Sequence, residues 1–185
     1  VMNIGLEGIM LSSALLGVIG RSLTQSALIG LICAIATGVL MGSIMAYFSL
    51  KLKTDIILTG IAINLLSSGG TVFLLYSVAK DKGMSTSLAS LTMPVVQIPI
   101  IQSIPILGPM ISGHNVLTYL AFILVGVVWL LLYKTSLGLK IRVVGENPDA
   151  AESVGINVKK IQYTALAISG ALAAMGGAYM SMGYM

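Results

Sequence analysis

Four polar side chains stand where the surrounding sequence is apolar: Asn3, Glu7, Asn64 and Ser68. Glu7 is the only carboxylate inside a candidate membrane span. A charged residue at the centre of a membrane helix costs about 2.5–3.5 kcal/mol on insertion scales, so it faces a bundle interior or a water-filled path. Glu7 and Asn3 can accept and donate hydrogen bonds to a sugar hydroxyl or a base edge. Their neighbours Gly5 and Gly8 permit a bend or a broken helix, a recurrent way of building a binding site at membrane depth. Asn64 and Ser68 share a helical face at i, i+4. All four also admit a plainer reading, in which they only tie neighbouring helices together.

Covalent chemistry has no foundation here. The chain carries no GxxxxGK[ST] phosphate loop and no HExxH, paired-cysteine or GxSxG motif. The lone histidine, His114, makes neither a metal site nor a catalytic dyad, and the lone Cys33 sits in an apolar run and reads as a packing residue. The expectation is a chain that is not an enzyme and binds no cofactor or metal itself.

The elements that must position these residues are membrane helices. Of 185 residues, 57% are hydrophobic and only 9% charged, and the mean hydropathy is +1.01. Soluble domains carry about 25% charged residues, so this composition excludes a soluble enzyme and a disordered segment. The net charge of +4 does not point to nucleic acid, because the charges fall in short clusters between apolar runs. Five spans are expected in an all-α polytopic bundle in the lipid bilayer: 4–20, 26–50, 56–79, 116–133, and one from 161 onward. Residues 1–185 read as a single membrane domain cut at both ends, an internal piece of a longer chain.

Seven cations (Lys51, Lys53, Lys134, Lys140, Arg142, Lys159, Lys160) lie on one side and three (Arg21, Lys80, Lys82) on the other. The positive-inside rule puts the first set in the cytoplasm. Tyr47, Phe48, Trp129, Tyr133 and Tyr163 fall at the same ends, as interfacial anchors do. The outer loop, 80–115, holds Pro94, Pro99, Pro105 and Pro109, which prevent one continuous helix. A re-entrant or interfacial segment is expected there. Gly38 and Gly42, and the stripes Gly170/Ala174/Ala178 and Ala173/Gly177/Ser181, provide close-packing faces.

The cytoplasmic loop, 134–160, contains a strongly punctuated short helix at 147–155. Asn147 is a good N-cap and Pro148 suits the first turn. Asp149 and Glu152 sit toward the positive end of the helix dipole, and Gly155 can close the C-terminus. So short a helix is unstable alone in water and must lie against something. Two supports are open, its own membrane domain or a cytoplasmic partner that docks on it.

The run Gly138-Leu139-Lys140-Ile141-Arg142-Val143-Val144-Gly145-Glu146-Asn147-Pro148, continuing Ala150-Ala151 and Gly155-Ile156, resembles the coupling loop of ABC importer permeases of the ribose, simple-sugar and nucleoside branch. Asn3-Ile4-Gly5-Leu6-Glu7-Gly8 is similar to that branch's NIGLEG motif, and Ile104-Pro105-Ile106-Leu107-Gly108-Pro109 to the outer loop of its nucleoside-type members. The resemblance implies a permease subunit in the plasma (inner) membrane of a prokaryote, moving nucleosides or simple sugars by alternating access. It implies a cytoplasmic ABC ATPase that uses ATP and Mg, a second permease subunit and an extracytoplasmic substrate-binding (lipo)protein as partners. The ATPase would engage Gly145, Glu146, Asn147, Pro148, Asp149, Ala150, Ala151, Glu152 and Gly155. The alternatives are an ATP-independent carrier or channel, a permease for branched-chain amino acids, and a scaffold whose loop recruits a partner.

Overall fold

The computed structural model describes residues 2–79 and 115–182, and every element among them is helical. The helices are α1 (Leu6–Thr24), α2 (Ala27–Ala46, continued by a π-helical turn Tyr47–Lys51), α3 (Ile56–Ala79), α4 (Val116–Lys134), α5 (Ser136–Glu146), α6 (Pro148–Ser153) and α7 (Val158–Met182). Five helical stretches are long and apolar enough to cross a membrane, which bears out the helical membrane bundle. The expected Pro-rich outer segment, and His114 with it, lie outside the described residues.

Three boundaries differ from expectation. The first span does not stop at Gly20 but runs through Arg21, which is buried in the last turn of α1 rather than sitting in a loop. Gln25 ends the helix in a left-handed conformation (φ 51°), its N–H donating to the Arg21 carbonyl at 2.7 Å. A non-glycine stop of this kind leaves no mark in composition. The fifth span begins at Val158, three residues early, because Asn157 caps it by accepting from the Lys160 N–H at 3.1 Å. The segment 134–160 holds two helices, α5 and α6, not one.

The core is an interlock of α1, α2 and α7, with α3 laid against α1. Lipid supplies no hydrophobic drive between helices, so association depends on close backbone approach and hydrogen bonds. The expected small-residue faces provide the approach. A Cβ built on Gly38 would lie 2.3 Å from the Gly170 carbonyl oxygen and 2.4 Å from the Ala174 Cβ. A Cβ on Gly42 would lie 2.7 Å from the Leu166 carbonyl oxygen of α7. Around this seam Ile9, Met45, Ala46, Ile63, Leu166 and Ala173 are buried together. By contrast α4 touches this core through Leu117, its one buried residue, and otherwise leans on α5.

At the Lys-rich end, Lys51 lies over the Tyr47 ring and Arg142 over the Tyr133 ring, each 5.0 Å from the centroid. Amphipathic rings and long cations share the headgroup region in this way.

The seam predicts a sharp contrast between two glycines of the same type. Gly38→Val should lower the thermal stability of the solubilised protein by about 1–3 kcal/mol or more, the cost of overpacking. Gly126→Val, where a Cβ meets nothing within 4 Å, should leave the melting curve unchanged.

Candidate functional site

α1 starts deep inside the bundle. Asn3 Nδ2 donates to Ser169 Oγ at 3.0 Å, and Ser169 stands eleven residues into α7, about 16 Å along the axis. Gly8 faces Asn64, eight residues into α3, or about 12 Å. With a hydrocarbon core about 30 Å thick, the first turn of α1 lies well below the membrane surface.

A helix that begins at such depth leaves backbone N–H groups with no water to satisfy them. Asn64 answers this from another helix. Its Oδ1 accepts from the Gly8 N–H at 2.8 Å, and its Nδ2 donates to the Ile4 carbonyl at 3.2 Å. The amide caps α1 and ties it to α3 with both ends occupied. Gly8 is what allows the approach, since a Cβ there would lie 2.8 Å from the Asn64 Cα and Oδ1.

Beside this staple, α1 and α3 enclose a groove of 270 Å3 lined by Glu7, Gly8, Leu11, Ile61, Asn64, Leu65 and Ser68. Three of the four polar residues singled out in the sequence thus line one concavity. Asn3 does not; it turns to α7. The carboxylate of Glu7 is exposed on the groove, and Ser68 donates to the Leu65 carbonyl at 3.0 Å, leaving its oxygen free to accept. Ser169, Leu11, Ile61 and Leu65 were not singled out in the sequence. Ser169 partners Asn3 across 166 positions, a separation that no local pattern reports.

The second candidate region is the loop 134–160. Thr135 caps α5 by accepting from the Gly138 N–H at 3.1 Å and donates back to the Leu131 carbonyl. Gly138 packs straight onto the α4 backbone, where a Cβ would meet the Leu131 oxygen at 2.1 Å. Gly145 and Glu146 belong to the last turn of α5 rather than to the short helix. Asn147 is the single extended residue between them, and its Oδ1 accepts from the Ala150 N–H at 3.1 Å, with Pro148 in the first turn.

The far end of α6 closes as a Schellman motif. The Gly155 N–H reaches the Glu152 carbonyl and the Ile156 N–H the Ala151 carbonyl, both at 3.0 Å, with Gly155 at φ 80°. Ala151 is wholly buried, and Val144 of α5 nearly so, so α6 rests on its own chain through one small residue. Asp149, Ala150, Glu152 and Val154 face outward. A polar crevice of 640 Å3 separates α6 from the turn after α2, with Lys53, Thr54, Glu152, Asn157 and Lys159 on its walls.

The described residues form a multi-pass bundle of apolar helices, with α1 capped from α3 at its start and a pair of short helices at the Lys-rich end. The chain belongs to the family described as the branched-chain amino acid transport system / permease component, whose model matches residues 1–185. It is 36% identical to the guanosine ABC transporter permease protein of Bacillus subtilis, over 96% of this chain and 57% of that protein. It is 32% identical to the nucleoside ABC transporter permease protein of Lactococcus lactis, again over 96% and 57%. A proposed glucose ABC transporter permease protein of Haloferax volcanii is 32% identical over all of this chain and 55% of its own length. The chain therefore spans just over half the length of these relatives. No solved structure matches it.

The staple yields a graded test. Asn64→Leu removes the cap and leaves the Gly8 N–H and the Ile4 carbonyl unpaired, which should destabilise the solubilised protein by about 1–3 kcal/mol. Asn64→Asp keeps the acceptor but brings a carboxylate to membrane depth, against the Ile4 carbonyl oxygen and beside Glu7, and should lose more; equal melting curves for wild type and Asn64→Leu would remove the staple from the account.

Proposed function

We propose that this chain forms the core of the membrane-spanning permease subunit of an ATP-driven importer in a prokaryotic plasma membrane. Two such subunits would flank the path, with an extracytoplasmic binding protein delivering the solute. A cytoplasmic ABC ATPase would dock on α6, and ATP with Mg would be consumed there and not in this chain. The observation that carries the reading is the construction of α6: six residues capped at both ends, buried at Ala151 alone, and exposed on the remaining face. Such a helix transmits a push to α5 and α7, which it touches, while its own shape is preserved.

The α1/α3 groove is the proposed lining of the path. A carboxylate at this depth would be costly against lipid and is accommodated beside water. Nucleosides are the favoured cargo, in keeping with the names of the Bacillus and Lactococcus relatives, and simple sugars come next. An ion-coupled carrier is disfavoured, because coupling normally draws on several intramembrane ionisable groups and Glu7 is the only carboxylate within the described spans.

The test uses the complete permease with its ATPase and binding protein in cells lacking nucleoside uptake. Labelled guanosine should enter only when the ATPase is present. Gly155→Val with Glu152→Lys strains the left-handed cap by about 1–2 kcal/mol and reverses a charge on the docking face. Uptake should fall by about tenfold or more, as a barrier change of that size implies, with loss of ATPase co-purification. Full uptake without the ATPase would overturn the importer reading.

A further inference from the structure

The groove between α1 and α3 has an unbalanced inventory of hydrogen-bonding groups. Among the described residues Glu7 is the only ionisable side chain on its lining, and a carboxylate in its ionised form only accepts. Ser68 spends its one hydrogen on the Leu65 carbonyl and presents lone pairs. Asn64 has its oxygen and one amide hydrogen committed to α1, which leaves a single N–H. The remaining walls, Leu11, Ile61 and Leu65, are apolar, and among the described residues no aromatic ring or cation lines the groove.

A site so rich in acceptors takes donors. Sugar hydroxyls meet it well, since each O–H can point at Glu7 or Ser68 while the ring carbons lie on the leucines. A phosphate monoester carries about −1.5 to −2 charge at neutral pH and has oxygens that accept, so it meets a carboxylate with nothing to offer it. Without a ring for stacking, the groove fits the hydroxyl-bearing half of a nucleoside or a free sugar better than a base.

We propose that Glu7 is the specificity-determining residue of the α1/α3 groove, a charge filter that accepts hydrogens from neutral, hydroxyl-bearing solutes and repels their phosphorylated forms. Asn64 acts here as a positioning residue: by capping Gly8 it holds the first turn of α1, and Glu7 with it, against α3. The inference rests on the groove lining the translocation path, and the experiment separates the two.

The probe is a single reporter cysteine, Ser68→Cys, in the full-length permease assembled with its ATPase, with Cys33→Ala removing the only native cysteine of this segment and any elsewhere in the protein likewise replaced. Leu65→Cys on the same wall serves as a second reporter should the first not assemble. Membranes are treated with a cationic and an anionic methanethiosulfonate of matched size, and rates are scaled to those of a free thiol. Charged clefts concentrate counter-ions by about tenfold or more, so the cationic reagent should gain about tenfold over the anionic one. Glu7→Gln should bring the two rates to parity while assembly with the ATPase persists. Parity with Glu7 intact would overturn the filter and leave the path reading standing. Failure of both reagents at both positions, with and without ATP, would show the groove closed to water and overturn both.

Discussion

The start of α1 inside the bundle is the constraint on which the rest depends. Backbone groups at membrane depth must be paired within the protein, and Asn64 supplies the pairing from α3. That solution in turn demands Gly8, because no side chain fits between the two backbones. It also sets Glu7, one residue earlier, on the groove side of α1. The same polar residues that cost energy in an apolar helix therefore have separate duties. Asn64 and Asn3 hold helices together, and Glu7 and Ser68 are left facing the groove.

Packing divides the molecule into parts of different firmness. α1, α2 and α7 meet backbone to backbone along Gly38, Gly42, Gly170 and Gly177, and well-packed seams of this kind move as units. α4 is joined to that unit mainly through Leu117 and through the short pair α5–α6. Between them lies an apolar space of 510 Å3 lined by Leu124, Val128, Leu172 and Met175 among others. A push on α6 thus reaches both the rigid unit, through α7, and the loosely held α4, through α5. This is the arrangement a lever needs if it is to change the distance between two bodies.

Much of the fold was legible because lipid leaves few choices. α3 was readable to the residue, since an uncharged and largely apolar run lies between Asp55 and Lys80. α6 was readable from Asn147, Pro148 and Gly155, each of which does what its type predicts. α5 was not anticipated, because its fit depends on a tertiary contact: Gly138 is there to let the α4 backbone pass. The end of α1 was hidden because Gln25 adopts a conformation that glycine usually marks. Of the groove, the participants Glu7, Asn64 and Ser68 could be named, but their distribution between holding and lining could not. That depends on contacts such as Gly8 to Asn64, 56 positions apart, which periodicity along one helix does not encode.

The depth at which α1 begins can be measured directly. Cysteines at Asn3 and Ser169 in the full-length protein, in a background lacking its other cysteines, would be treated in native membranes with a short bifunctional thiol reagent. The hydrogen bond between these side chains predicts efficient cross-linking, with none when the second cysteine is moved to Lys160, at the start of α7. Cross-linking to Lys160→Cys but not to Ser169→Cys would place the start of α1 at the membrane surface. The staple, the groove and the role of Glu7 would then all lose their basis.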